Sequence, residues 1–347
     1  MSLATALKTG DVAELPSRRQ EDWRWSDLRG LIRTIPSASP PGDAARLGEG
    51  PFGALADERV VFLNGRRVTG EAALTVAAGA SLTIALRFIS QASNTAHHAA
   101  FALTLAPGAT AVLLESYEGD GEGYVADVAL DIRLGEGARL ERIVLVEEAG
   151  DAVAVSTAEV ALSPGAHFAQ TVLTRGAKRQ RHETRVRHGG GDAQLRLDGV
   201  YLLDGPRHAD LTTAVTHEAT DGVTRQLTKG AVRGASRAVF QGRIVVREGA
   251  DRTDARMGHH ALILSERAEV DAKPELEIYA DDVACAHGNT VGALDEDALF
   301  YARQRGMPEA EARALLTEAF VGQVIDRIEQ DEAREVVRAW AAERLRA

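Results

Sequence analysis

Gly79-Ala80-Ser81-Leu82, Gly108-Ala109-Thr110-Ala111, Gly137-Ala138-Arg139-Leu140 and Gly165-Ala166-His167-Phe168 repeat one corner, glycine then alanine then a polar–apolar step. The corner returns about every 28 residues. Weaker echoes follow at Gly191-Asp192-Ala193 and Gly249-Ala250-Asp251. Between corners polar and apolar residues alternate, as in Phe101–Leu105 and Val128–Leu134. A fixed period in β-type sequence is the signature of a solenoid. Glycine tolerates the positive φ a corner needs, and alanine is small enough to stack on its copy in the next coil. A single coil cannot bury its own apolar face. Coils therefore stack about 4.8 Å apart with parallel pairing, and seven or eight of them make a rod roughly 35 Å long. An antiparallel sandwich, with turns every 8–12 residues or so, leaves the recurrence unexplained.

The flanks read differently. Residues from about 1 to 35 read as helical, with Trp25, Leu28, Leu31 and Ile32 on one stripe, a cap that docks onto something larger. Pro36–Gly42 reads as a loop, and Val60–Leu63 as a strand running into an Asn64-Gly65 turn. Asp295–Gly306 reads as a helix with acids in its first turn and glycine at its end. Pro308 opens a second helix with Ala312, Leu315, Leu316, Ala319, Phe320 and Val324 on one stripe, and Val337, Trp340, Ala341 and Leu345 share a face of a third. The expected division is a helical region over 1–59, a parallel β-helix over 60–290 and a helical domain over 291–347.

Composition narrows the function. The 347 residues suffice for one large domain or two average ones, and 45% hydrophobic content supplies a core. A net charge of −11 argues against nucleic-acid binding, which needs a basic field. Aromatic residues make up 5%, few for a protein that stacks sugars or bases. The single cysteine rules out an internal disulfide. No stretch approaches the roughly 18 apolar residues of a membrane span, and Met1–Lys8 has no leader pattern, so the expectation is a cytoplasmic protein without membrane contact.

That cysteine lies in Asp281-Asp282-Val283-Ala284-Cys285-Ala286-His287-Gly288-Asn289-Thr290-Val291-Gly292. In an extended stretch Cys285 and His287 leave the same face. A thiolate beside an imidazole offers soft-metal ligands or a nucleophilic pair. Two ligands do not close a metal site, so the rest come from elsewhere in the fold or from a partner, or the pair is incidental. A cysteine enzyme would need an orienting third group and an oxyanion motif, and neither is evident. No Walker loop occurs, so ATP chemistry would belong to a partner. His259 and His260 are adjacent and face opposite ways, which gives them structural roles. The run Arg175, Lys178, Arg179, Arg181, Arg185, Arg187, with His182 and His188, reads as a solvated edge that discourages wrong strand pairing. The competing function is a β-helix carbohydrate-active enzyme, which would need clustered carboxylates and aromatic platforms.

The stretch Tyr279–Gly292, followed by Asp295-Glu296, Leu299–Gly306 and Ala312–Leu316, resembles the SufB/SufD family of iron–sulfur cluster assembly proteins. Leu15–Trp23 and Lys273–Ile278 resemble the same family, so the likeness spans nearly the whole chain. It is similar to the SufD branch: Gly288 follows His287 where SufB chains usually carry Glu, and Met257–His260 lacks the cysteine found there in SufB chains. Ala284, Ala286 and Asn289 stand where SufD-type chains often carry Lys, Ser and Ala. The resemblance implies a right-handed parallel β-helix and a non-enzymatic scaffold subunit of a SufB–SufC–SufD complex. It implies Cys285 and His287 as ligands of iron or an iron–sulfur cluster, held transiently and shared with a partner subunit. It also implies a SufB-like partner on the β-helix, or a homodimer when the chain is alone. A SufC-like ATPase would sit on the C-terminal helices, where Phe300, Tyr301, Arg303, Leu315, Leu316 and Phe320 are the candidate contacts. One cysteine cannot ligate a four-cysteine cluster, and a strand ending a solenoid has an unpaired edge, which suits a site completed in trans.

Overall fold

The computed structural model describes residues 1–346, the side chain of Arg46 excepted. The expected corners are real. Gly79, Gly108, Gly137 and Gly165 have φ of 69°, 68°, 63° and 66°, left-handed values that cost glycine nothing. Ala109, Ala138, Ala166, Ala193 and Ala250 beside the corners are fully buried. Successive corners bond along the rod, Gly137 N–H donating to the Pro164 carbonyl at 3.1 Å and Gly165 N–H to the Gly191 carbonyl at 2.7 Å.

The strands alternate between two facing sheets. The first sheet has ten, in spatial order β18 (Val283–Gly292), β16 (Thr253–Ile263), β14 (Val223–Val232), β12 (Gln194–Leu203), β10 (His167–Thr174), β8 (Arg139–Glu147), β6 (Thr110–Gly119), β4 (Ser81–Ser90), β1 (Glu58–Leu63) and β2 (Arg66–Thr69). The second has eight: β17 (Glu269–Ile278), β15 (Arg237–Val246), β13 (His208–His217), β11 (Arg179–His188), β9 (Val153–Leu162), β7 (Val125–Leu134), β5 (Ala96–Leu105) and β3 (Ala73–Val76). Each coil gives one strand to each sheet, so the protein is a mainly β parallel solenoid of about eight turns. Register follows the repeat: Ser81 pairs with Thr110, Thr110 with Arg139, and Arg139 with His167. Inward rows form the core between the sheets, including a stack of Phe62, Phe88 and Tyr117 with centroids 5.2 and 5.1 Å apart.

The ends of the rod differ. At one, the antiparallel β2 has four exposed residues and β3 is equally short. At the other, β17 and β18 are each ten residues long, and among the described residues nothing pairs on their outer sides.

Of the N-terminal stripe, Leu28 and Ile32 are buried and Trp25 and Leu31 half-buried, but not on the expected helix. One α-helix, α1 (Leu3–Thr9), forms early, and over residues 20–32 only Glu21–Trp23 makes a 3-10 turn. Leu28 and Ile32, with Leu3, Ala6 and Leu15, pack on Ala96, Val125, Val153 and Val155 of the second sheet. The carbonyls a helix would use are taken by the rod. The Asp22 carbonyl accepts from Arg181 at 2.6 Å and Gln241 at 3.2 Å, and the Trp25 carbonyl from Arg179 at 2.9 Å and His208 at 3.1 Å.

The same contacts correct the reading of the basic run. β11 is an interior strand between β9 and β13, not an edge. Arg181 is buried against Glu183 (3.0 Å) and Asp210 (2.9 Å) and lies 4.5 Å from the Trp23 ring. Arg185 and Arg187 meet Glu159 and Glu218 of neighbouring coils at 3.0 and 3.2 Å. His182 and His188 are buried.

Three helices end the described chain: α2 (Glu296–Gln304), α3 (Glu309–Ile325) and α4 (Asp331–Arg346). Asp295 caps α2, and Gly306 after it has φ 88°. α3 and α4 lie on the outer face of the ten-stranded sheet, where Val321, Val324, Ile325, Val337 and Trp340 meet Leu114, Ile143, Leu145, Leu173 and Val200. Glu141 of β8 caps the start of α4, accepting from the N–H groups of Glu329 and Gln330 at 2.7 and 2.9 Å. The stripe expected on α3 is split: Ala312 and Val324 are buried, Leu316 and Phe320 half-buried, and Leu315 and Ala319 outward. The buried face is turned toward Thr317 and Val321. Among the described residues no helix is long and apolar enough to cross a membrane.

Candidate functional site

The open end of the rod is built on β18. Its inward row is Cys285, His287, Asn289 and Val291, below Ala255, Met257, His259 and Ala261 of β16. In any other coil such positions would be sealed by the next turn. Among the described residues there is none here, and Cys285 is half-buried against the core while His287 and Asn289 are exposed. The expected pair therefore shares one face of a terminal strand.

Burial pushes the Cys285 thiol up, outweighing a hydrogen bond with the Ala255 backbone that lowers it, and the Asp254 charge adds a smaller rise. Metals take the thiolate and not the thiol, and a bound cation favours that form. Among the described residues no group of three or more His, Cys, Asp or Glu side chains could hold a metal ion. The thiol and imidazole fit soft-metal chemistry as a half-site, short of the four donors such a site normally takes.

The two adjacent histidines separate as their alternation requires. His259 is fully buried, stacks on Phe240 with centroids 4.6 Å apart, and bonds Tyr201 and Asn289. His260, on the other face, meets the Thr290 hydroxyl at 2.7 Å. The sequence marks Asn289 only as a departure from SufD-type chains, although it continues the two-residue period of Cys285 and His287.

The candidate partner residues lie on α2 and α3. Phe300, Tyr301 and Leu315 are exposed by 63%, 62% and 49%, large values for apolar side chains. Arg303 pairs with Glu309 at 3.4 Å, which ties α2 to α3. Leu316 is half-buried, and Phe320 lies under Lys229, whose ammonium is 4.3 Å from the ring and donates to Gln323. Phe320 is thus part of the helix–sheet contact.

Residues 88–320 match the family model described as SUF system FeS cluster assembly, SufBD core domain. The chain is 28% identical to the iron–sulfur cluster assembly protein SufD of Escherichia coli (strain K12), over 99% of this chain and 91% of that protein. It is 32% identical to the iron–sulfur cluster assembly SufBD family protein slr0076 of Synechocystis, over 59% of this chain and 45% of that protein, so it spans less than half of that relative. It is 27% identical to the SufBD family protein Mb1497 of Mycobacterium bovis, over 94% of this chain and 88% of that one.

Proposed function

The chain belongs to the SufBD family of the SUF iron–sulfur cluster assembly system, and from that premise we propose that it is a SufD-like, non-enzymatic, cytoplasmic scaffold subunit. Its cargo is iron or an iron–sulfur cluster. Cys285 and His287 supply part of the ligand set, and a SufB-like subunit docked on the β17–β18 end supplies the rest. A SufC-like ATPase docks on α2 and α3 through Phe300, Tyr301 and Leu315, with Arg303, Leu316 and Phe320 holding that surface in shape. Family membership sets aside the carbohydrate-active alternative.

The observation that carries the reading is the difference between the two ends of the rod. A short, exposed, antiparallel strand blunts one end. The other offers two long unpaired edges, and its inward row includes a thiol and an imidazole. Unpaired backbone donors and acceptors beside a half-built ligand set are what a site completed by a second polypeptide requires.

Co-expression with SufB-like and SufC-like subunits, co-purification, and reconstitution with Fe(II) and sulfide test it. A stable ternary complex is expected, with a cluster absorption that the Cys285→Ala/His287→Ala variant loses while still assembling. Equal cluster yield from that variant overturns the ligand role, and failure of the three chains to co-purify overturns the scaffold role.

A further inference from the structure

One polar chain runs from deep inside the rod to its open end. The Tyr201 ring, on β12, lies across β14 to reach β16, and it can do so because position 230 is glycine: a Cβ there would stand 2.0 to 2.4 Å from ring atoms of Tyr201. The Tyr201 hydroxyl then meets His259 Nε2 at 2.9 Å, and His259 Nδ1 meets Asn289 Oδ1 at 2.7 Å. Phe240 stacks on the imidazole with an 8° interplanar angle and fixes its plane.

The direction of these bonds follows from the buried end. Tyr201 is fully buried, and burial pushes its hydroxyl well up, so it keeps its proton. Among the described residues its one hydrogen-bond partner is His259 Nε2. A buried O–H without an acceptor is costly, so Tyr201 donates and Nε2 accepts. Burial also keeps the imidazole neutral, pushing it down to about 4. A neutral ring that accepts at Nε2 carries its hydrogen on Nδ1. Nδ1–H therefore donates to Asn289, which fixes the carboxamide oxygen as the bound atom. The NH2 group of Asn289 has no partner among the described residues, and the side chain is exposed beside His287 at the open end.

We propose that Asn289 is a further binding residue of the cluster site, an N–H donor oriented by Tyr201 and His259 toward anionic sulfur, the thiolate or sulfide of the cargo. This rests on the proposed ligand role of Cys285 and His287. Hydrogen bonds to cluster sulfurs stabilise the charge they carry and tune the cluster. His259 acts through Asn289 and is a positioning residue.

Two measurements test it. In the full-length chain without iron, nitrogen NMR of labelled histidine reads the tautomer of His259, identified by the signals that move in the Asn289→Ala variant. Hydrogen on Nδ1 and a bare Nε2 are expected, and Tyr201→Phe should disturb the Nε2 signal. The opposite tautomer would turn the carboxamide round and overturn the inference without touching the ligand reading. In the complex reconstituted with Fe(II) and sulfide, Asn289→Ala and Asn289→Asp should lose the cluster to a chelator several-fold faster than wild type. The aspartate variant keeps the oxygen for His259 but has no N–H to offer, so cluster retention equal to wild type would sink the donor role. A wild-type cluster that does not depend on Cys285 overturns the ligand reading and the donor role together.

Discussion

Glu148 follows β8 with its carboxyl buried and accepts from the Tyr124 hydroxyl. Burial dominates that bond and pushes the acid up to about 7. The unfolded chain releases this proton near pH 4.5 while the fold holds it, so rising pH through about 4.5 to 7 removes stability, on the order of 3 kcal/mol when complete. Glu148→Gln has no proton to lose. In denaturant titrations it should match wild type near pH 5 and be the more stable chain at pH 8, and parallel curves across that range would refute this. Arg142 is the opposite case. It is fully buried with Glu115 in a two-pronged pair at 2.8 Å and donates to Gln170 at 2.7 Å. Arg142→Met leaves a carboxylate stranded in the core and should cost about 3–5 kcal/mol in urea unfolding, most of it recovered by adding Glu115→Leu. Neither residue announced itself in the sequence, because the partner lies one coil away, where register rather than local pattern sets the meeting. That Cys285 and His287 share a face was readable because both lie on one strand. Asn289 was not, because its significance depends on Tyr201, 88 residues earlier in the chain.

The strands and corners were the readable elements, since a positive φ at a repeated glycine is a local demand. The segment over 20–32 was half readable. Its apolar spacing correctly marked Leu28 and Ile32 as buried, but its backbone carbonyls bond arginine, glutamine and histidine side chains of the rod in place of helical N–H groups. The position of α3 and α4 did leave a trace: Val112-Leu113-Leu114 and Ile143-Val144-Leu145-Val146 are apolar on both faces, as strands covered on both sides are. The two apolar surfaces of the helices should separate in experiment. Trp340 is buried and donates to Glu147, so Trp340→Ala should lower stability by about 3–5 kcal/mol. Phe300→Ala with Tyr301→Ala removes side chains already in water and should change stability by about 0.5 kcal/mol or less, yet weaken a SufC-like partner at least tenfold, read by calorimetry. Phe320→Ala should do some of both. Unchanged affinity in the Phe300/Tyr301 variant would move the ATPase surface elsewhere.

A solenoid is a stack that needs a reason to stop. At its first coil the chain supplies one itself, in β2 with its exposed Arg66 and Arg67. At its last coil Ile278, Tyr279 and Val291 remain exposed by 42%, 63% and 43%. Ile278 and Val291 point inward by their place in the alternation and are wet only because no coil follows. A second polypeptide that continued both sheets would bury them and satisfy two rows of backbone groups at once. Ile278→Lys with Val291→Lys adds charge where the free subunit already meets water, so its melting temperature should hold within a few degrees. Inside a joined rod the same ammonium groups would be desolvated without partners, a cost of several kcal/mol. Sedimentation of the chain with a SufB-like subunit should therefore show association weakened a hundredfold or more in the variant, and any self-association of the chain lost with it. Wild-type affinity in the variant would mean that the open end is not where the rod is continued, and the shared site would have to be sought on another face.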